Sequence, residues 1–472
     1  MHTYAIDFET FFSADISVET LGPWGYHRHP DTAAYLVAIA GTDGLRYCGD
    51  PAAAPWAEIG GGVWVSHNAA FDQLAYLRLG APGGGPAEWH CTADLAAYLQ
   101  APRSLAGACR ELLGVTVDKS TRDRMKGVRW ADLNAIGQAE VIEYGQGDAD
   151  RCLELWTRYG DQWPDRERAL SEHGRRMLLA GLPVDVEGVR AAVIGLGARL
   201  EAVRARIPWA GAPLGRKALA DYCEAERIPC PESVAKDDED FAGWVEIYGD
   251  AHPVCRAMGE WRSVNALLEK VATLAGRVEG GLYRGGLKYF GAQHTGRWSG
   301  DGGFNVQNMP RGEMHGVDLR SLFRAPTGYT FVAADLSQIE PRILAHLAGN
   351  TAMLEAVRGG WHIYEAFARS LGWDFKQGTL KDSNKAGYAM AKGMCLGLGY
   401  GMSAEKFTKA APTLTGGAYR PSQADAMRAV RDFRTKNAGV VGLWNQMDAH
   451  LRESVKDGHA EIKLPSGRSI QY

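Results

Sequence analysis

The chain has 472 residues, 46% hydrophobic and 23% charged, which is the balance of a soluble globular enzyme and a length too great for one core. A net charge of −4, from 52 basic and 56 acidic residues, argues against a protein that simply coats phosphate, although basic residues can still cluster locally. No apolar run is long enough to span a bilayer, no signal-type leader opens the chain, and the eight cysteines are scattered without a CxxC pair, so a cytoplasmic protein with reduced thiols is expected.

Tyr4 to Thr10 (YAIDFET) reads as a strand, and period-two alternation places Asp7 and Glu9 on one face. Like charges side by side repel, so the pair suits either a solvated edge or a cation held between them. Val63 to Asn68 is a second strand-like run, and Phe71 to Leu77 starts a helix carrying Asp72. In EYGQGD, Tyr144 and Asp148 are four apart and share a helix face. Singly, each is an ordinary surface acid or core tyrosine. Together, Asp7-x-Glu9, Asn68-x-x-Phe71-Asp72 and Tyr144-x-x-x-Asp148 resemble the three motifs of the DEDD exonucleases in their tyrosine subtype. The resemblance implies a ribonuclease H-like α/β domain over residues 1–164. It also implies a pair of magnesium or manganese ions held by Asp7, Glu9, Asp72 and Asp148, with Tyr144 orienting the attacking water and Asn68 contacting DNA. Ser104 to Leu113 and Lys119 look like the helical connection of that family.

Residues 165–275 carry helical patterns from Arg168 and from Val186, broken at Gly181-Leu182-Pro183-Val184-Asp185. By position the stretch resembles a polymerase thumb, though a plain helical linker would read the same way. Thr295 to Gly300 and Asn305 to Arg311 are polar, glycine-punctuated and too irregular for a core. The combination Thr-Gly-Arg with Gln-Asn-x-Pro-Arg nevertheless resembles family A (DNA polymerase I-like) DNA polymerases. That likeness implies that Arg297, Gln307, Asn308 and Arg311 touch primer or template in the minor groove, where acceptors common to all base pairs allow reading without sequence preference.

Tyr329 to Ala334 is β-branched and aromatic enough for a buried strand, bounded by the Pro326-Thr327-Gly328 turn. Ser337-Gln338-Ile339-Glu340 has capping-box spacing, and Ile339, Ile343 and Leu347 recur at helical spacing. Asp335 therefore stands at a strand end facing a helix start, where a hard oxygen ligand suits magnesium. Asp335, Ser337, Gln338, Ile339, Glu340 and Arg342 are in register with motif A of the same polymerases. The resemblance makes Asp335 a catalytic metal ligand and places Gln338 and Glu340 at the incoming nucleotide.

Lys392, Leu396 and Tyr400 fall at successive fourth positions of an expected helix that Gly401 stops. Three glycines inside it cost about 1 kcal/mol each relative to alanine, so they need a reason such as close backbone approach. The run resembles motif B, in particular that of the bacteriophage branch, with Lys392 on the triphosphate and Tyr400 near the templating base. Where the family usually has an arginine four residues before the lysine this chain has Tyr388, and Lys385 is the nearby charge that can replace it. No apolar-His-Asp-Glu run of motif C follows Asp335. Met447 to His450 lies in a helical stretch, and the chain closes on an expected hairpin from Ile462 to Tyr472.

The fold expected is thus α/β plus α: a nuclease domain (1–164), a helical thumb-like region (165–275), and palm and fingers lacking motif C (276–472). The expected function is DNA-directed DNA synthesis with 3′-5′ proofreading, acting on primer-template and dNTPs with two divalent ions per site. A second polypeptide would supply motif C, and the location would be the bacterial host cytoplasm if the gene is a phage's. The alternatives are a metal-dependent 3′-5′ exonuclease with a polymerase-like DNA-binding region, and a non-catalytic DNA-binding assembly subunit. No 5′-nuclease region precedes Asp7, so nick translation is not expected.

Overall fold

The computed structural model describes residues 1–234, 239–292, 295–300, 304–457, 461–463 and 469–471. The chain forms two compact units, Met1–Phe331 and Val332–Tyr472. The first is built on a five-stranded sheet of β1 (Thr3–Thr10), β2 (Ala34–Gly41), β3 (Arg46–Gly49), β4 (Val63–Ser66) and β5 (Glu88–Cys91), in the order β3-β2-β1-β4-β5. β1 runs antiparallel to β2 and parallel to β4, so it is central and paired on both edges. Asp7 lies opposite Ala38 and Glu9 opposite Leu36, and the register shifts between Glu9 and Thr10.

Alternation along β1 sorts its side chains between two unlike layers. Tyr4, Ile6 and Phe8 join an aromatic core with Trp56, Trp64, Tyr76 and Trp89. There Trp64 meets Tyr76 at 4.9 Å and Trp89 at 5.1 Å, both edge to face, an arrangement that adds about 0.5–1.5 kcal/mol per pair beyond burial. The odd positions begin with Ala5 on the opposite face, where Ala38, Ala40 and Val65 pack against Ala149, Cys152 and Leu153 of the long helix Ala135–Tyr159. Small side chains let that helix lie close to the sheet. Gly145 carries the principle furthest, since a Cβ there would stand 3.0 Å from Leu36 Cδ2 and 3.8 Å from Glu9 Cγ.

Beyond Pro164 the helices Asp165–Ala180, Val186–Arg204 and Pro253–Ala275 follow, and the last two share a core of Val189, Leu196, Val264, Leu267 and Val271. The divisions expected at 164 and 275 coincide with helix ends, and both lie inside the first unit. A buried polar seam crosses the first of them. Asp94 pairs with Arg103 and accepts from Ser171 Oγ at 2.5 Å, Arg103 Nη1 donates to Tyr289 O at 2.7 Å, and Arg175 reaches Ser171 Oγ and Trp89 O. Trp163, Tyr289 and Phe290 pack with Leu95 and Ala97 beside it.

One polar run takes regular structure, and two expectations are corrected. Arg297–Gly300 is a strand, paired antiparallel with Leu287–Ala292, because alternate residues of this polar run find a ladder partner. Tyr329 to Leu336 is irregular and forms no ladder among the described residues. Its apolar side chains are exposed, Tyr329 at 79%, Phe331 at 52%, Val332 at 89% and Leu336 at 72%, since strand propensity without a partner strand does not bury anything. The capping box at Ser337 is not made either. The helix begins at Ile339 with Gln338 as its cap in left-handed backbone (φ 50°) and no side-chain cap bond. The Gln338 amide is committed elsewhere: its Oε1 accepts from Ile363 N at 3.3 Å and its Nε2 lies 2.5 Å from His362 Nε2.

The helix Ile339–Leu347 forms as its spacing predicts, yet its stripe of Ile339, Ile343 and Leu347 is 40–48% exposed. The second unit's core lies elsewhere, among Phe367, Met394, Leu398, Phe407 and Phe433. The motif B run is a helix, Lys385–Gly397, continued by a tighter turn through Tyr400 and stopped by Gly401 in left-handed backbone (φ 76°). Its glycines have the expected reason, for a Cβ on Gly397 would stand 3.0 Å from Phe407 and one on Gly399 3.0 Å from Leu344. Glu461–Lys463 and Ser469–Gln471 pair as a hairpin whose turn lies outside the described residues, as does Tyr472. Among the described residues no helix is long and apolar enough to cross a membrane.

Candidate active site

The sheet and the long helix bring five of the nuclease-motif residues to one place. Asp7 and Glu9 project from central β1, Asp72 from the helix Ala69–Arg78, and Tyr144 and Asp148 from the long helix. Asp72 is 2% exposed, and its Oδ1 accepts from Phe8 N at 3.1 Å, which locks it onto β1. Asn68 caps that helix in left-handed backbone (φ 86°), a conformation asparagine tolerates better than most residues, and makes no side-chain cap bond.

The acids are held in a strained electrostatic state. Burial, then repulsion from Asp148, pushes Asp7 up to about 7, against the lowering pull of Lys119 and Arg122. Glu9 is raised well above the usual carboxylate range by burial and by Asp7 and Asp148, and Asp72 by burial and Asp7. Burial, with the neighbouring Asp148 and Glu9, raises the Tyr144 phenol, so it keeps its proton. Lys119, in the turn before the short helix Ser120–Arg124, donates to Asp148 Oδ2 at 2.7 Å and to Tyr144 Oη at 3.1 Å. Sequence reading had placed this lysine in a connection. No local pattern marks it, because its partners lie 25 and 29 residues further on.

In the donor set, Asp7, Glu9 and Asp72, raised by burial and by repulsion from one another and from Asp148, match what a divalent cation relieves. Among the described residues no three acid, imidazole or thiolate groups stand close enough together to cage an ion as they are arranged.

The second group of residues is divided between the units. Arg297, Gln307, Asn308 and Arg311 are exposed on the hairpin and the turn after it, in the first unit, with Asn305 Oδ1 accepting from Gln307 N at 2.9 Å. The others lie in the second unit. Asp335 is exposed on the irregular stretch. Glu340 Oε2 accepts from Tyr400 Oη at 2.8 Å, tying motif A to the end of the motif B helix across 60 residues of sequence. Lys392 is half-buried on that helix and Lys385 is exposed at its start. His362 was not singled out in the sequence. It meets Gln338 and packs 5.7 Å from Tyr388, the residue that replaces the expected arginine. Its pKa is lowered, first by burial, with Arg342 and Lys381 adding to the effect and Glu365 opposing it.

Along its length the chain is similar to known DNA polymerases. The family described as DNA polymerase family A matches residues 243–459. A DNA polymerase of Bacillus phage SP02 is 25% identical over all of this chain and 82% of its own length. DNA polymerase I of Aquifex aeolicus is 27% identical over 72% of this chain, which spans 61% of it. The polymerase domain of Pol1 from M. smegmatis, solved with DNA primer-template and dNTP, matches 99% of this chain and 77% of that one with a TM-score of 0.68 at 20% identity. By the family match over residues 243–459, by relatives along the whole length and by fold, the chain is similar to DNA polymerases of family A.

Proposed function

We propose that the protein is a DNA polymerase with a 3′-5′ proofreading exonuclease, the nuclease centred on Asp7, Glu9, Asp72, Tyr144 and Asp148. The observation that carries the nuclease reading is the convergence of these residues from three elements onto one partly buried cluster whose acids repel one another. The sheet order β3-β2-β1-β4-β5, with β2 alone antiparallel to the other four strands, supports a ribonuclease H-like domain. Asp7, Glu9, Asp72 and Asp148 would hold two divalent ions, which supply an activated water and neutralise the leaving 3′-oxygen. Tyr144 keeps its phenolic proton and orients the water, and Asn68 contacts the strand being shortened.

The polymerase reading is supported by the family match over residues 243–459 and by the Glu340–Tyr400 contact at the end of the helix that carries Lys392. Primer-template is gripped by Arg297, Gln307, Asn308 and Arg311, while dNTP meets Lys392, Lys385, Gln338, Glu340 and Tyr400. A second polypeptide carrying the second acid completes the palm around Asp335. The exposed stretch Tyr329–Leu336 and the exposed stripe Ile339, Ile343 and Leu347 support this, being apolar surface of the kind a covering sheet buries. Where no such polypeptide acts, the exonuclease with a polymerase-like DNA-binding region is the favoured alternative, because Asp335 is then a single exposed acid.

Incubating 3′-labelled single-stranded DNA with magnesium or manganese tests the first half: the chain should shorten it, and Asp7→Ala should not. Equal shortening by both refutes the nuclease assignment. Primer extension by the chain alone and with added palm polypeptide tests the second, and robust extension by the chain alone would mean that another acid has taken the second role.

A further inference from the structure

The nuclease cluster contains a cation of its own. Lys119 Nζ bridges Asp148 Oδ2 at 2.7 Å and Tyr144 Oη at 3.1 Å, and lies 5.0 Å from the centroid of the Tyr144 ring. Its side chain is 27% exposed and that of Asp148 only 10%. Immobilising a lysine this far inside costs side-chain entropy that a single ion pair does not offset. The local chain is built to aim it. Asp118 accepts from Ser120 N at 2.8 Å and from Ser120 Oγ at 2.9 Å, closing the turn that presents Lys119, and the helix that follows brings Arg122 within electrostatic reach of Asp7 and Glu9.

Geometry gives the bridge a direction. A phenol oxygen that accepts from an ammonium keeps its own O–H hydrogen as a donor, and here that donor meets the Asp148 carboxylate, which a divalent ion would occupy instead. Pairing Lys119 with Asp148 alone would satisfy both charges, so the second bond serves Tyr144.

We propose, on the nuclease reading above, that Lys119 is a positioning residue of the exonuclease centre: it fixes the Tyr144 hydroxyl as a donor toward the reacting phosphate or water, and it shares Asp148 with the bound divalent ion. The two parts make opposite predictions. Removing the ammonium strips a positive charge from the cluster, so divalent ions bind more tightly. It also frees the phenol, so the reaction slows.

The test uses the full chain and the variants Lys119→Met, Lys119→Arg, Tyr144→Phe and the double variant Lys119→Met/Tyr144→Phe. Manganese binding is followed by the electron paramagnetic resonance of free Mn²⁺, and release of the 3′-terminal nucleotide in single turnover at saturating Mn²⁺. Lys119→Met should bind Mn²⁺ at least about fivefold tighter, the effect of one unit charge removed at close range. Its single-turnover rate should fall roughly 10- to 100-fold, the usual cost of losing a group that orients a metal-site residue. Lys119→Arg should recover most of both. The double variant should be no slower than Tyr144→Phe, because the two residues act as one device.

Wild-type rate with unchanged Mn²⁺ affinity in Lys119→Met overturns the proposal, as does a double variant slowed by the product of the single effects. Should Lys119→Met fail to fold, judged by its melting curve, Lys119→Arg decides: a folded arginine variant that binds Mn²⁺ about fivefold or more tighter than wild type, although it keeps the charge, overturns the charge-sharing part, and one that binds Mn²⁺ like wild type but loses the rate overturns the expected recovery of positioning by a second cation. If the wild type releases no nucleotide and Asp7→Ala leaves Mn²⁺ binding unchanged, the nuclease reading itself has failed.

Discussion

Replacing Asp7 with Asn should stabilise β1 at pH 8 and change it little at pH 4 when EDTA keeps divalent ions away. The carboxyl is moved from 3.8 to about 7 by burial and by Asp148. Between those values the unfolded chain has released the proton that the folded chain still binds, so each rise in pH favours unfolding, and the effect is complete above about pH 7. Treated as one isolated group, Asp7 lowers stability by about 4 kcal/mol at pH 8 and by about 0.6 kcal/mol at pH 4. The larger figure is a ceiling, because Glu9, Asp72 and Asp148 share the repulsion. Hydrogen exchange of the segment Thr3–Thr10, corrected for the intrinsic rate at each pH, reads the opening free energy directly. Protection in Asp7→Asn should exceed wild type at pH 8, converge with it at pH 4, and lose its advantage when Mn²⁺ is added. An advantage at pH 4 as large as that at pH 8 would mean that the substitution repacks the strand, and no advantage at either would mean that the cluster does not strain it.

Gly145→Val should abolish nucleotide removal with little effect on nucleotide binding by the second unit. Its side chain would press on Leu36 and Glu9 and lift the long helix from the sheet, a displacement visible as lost protection in Ala135–Tyr159. Tyr400→Phe removes the 2.8 Å bond to Glu340 at an exposed position, so the melting temperature should stay put while the dNTP concentration needed for half-maximal extension rises several-fold. Asp335→Ala should likewise leave the melting temperature unchanged, its site being exposed, but should eliminate extension by the completed polymerase. Ile343→Lys should shift stability of the lone chain by less than about 0.5 kcal/mol and yet prevent co-elution with the palm polypeptide in size-exclusion chromatography. Unchanged co-elution would show that the stripe is not the contact.

The nuclease residues were legible because their spacing is local: Asp7 and Glu9 follow the strand period, Tyr144 and Asp148 the helical one. Lys119 was not, since its meaning depends on two partners that only the folded chain brings near. The motif A region misled for the same reason in reverse. Tyr329 to Ala334 has every intrinsic mark of a strand, but a strand is a relation between two segments, and no described segment pairs with it. At Ser337 a local rule lost to a distant one, because the Gln338 amide finds His362 and Ile363 and drags the cap one residue on. The motif B glycines were read correctly because their cost in a helix demanded a close neighbour, and Phe407 and Leu344 are those neighbours.

The seam around Asp94 means that the boundary visible in sequence at Pro164 is not a boundary in energy. Severing the chain there would take away Ser171, which donates to Asp94, and Arg175, which reaches Trp89, and would deprive Arg103 of the Tyr289 carbonyl. It would also uncover Trp163, Leu95 and Ala97, which Tyr289 and Phe290 now cover. A chain shortened to residues 1–164 would therefore be an opened domain and not a smaller one. The compact unit Met1–Phe331 keeps these partners together, so moving the sheet to another protein has to carry the helices and hairpin along with it.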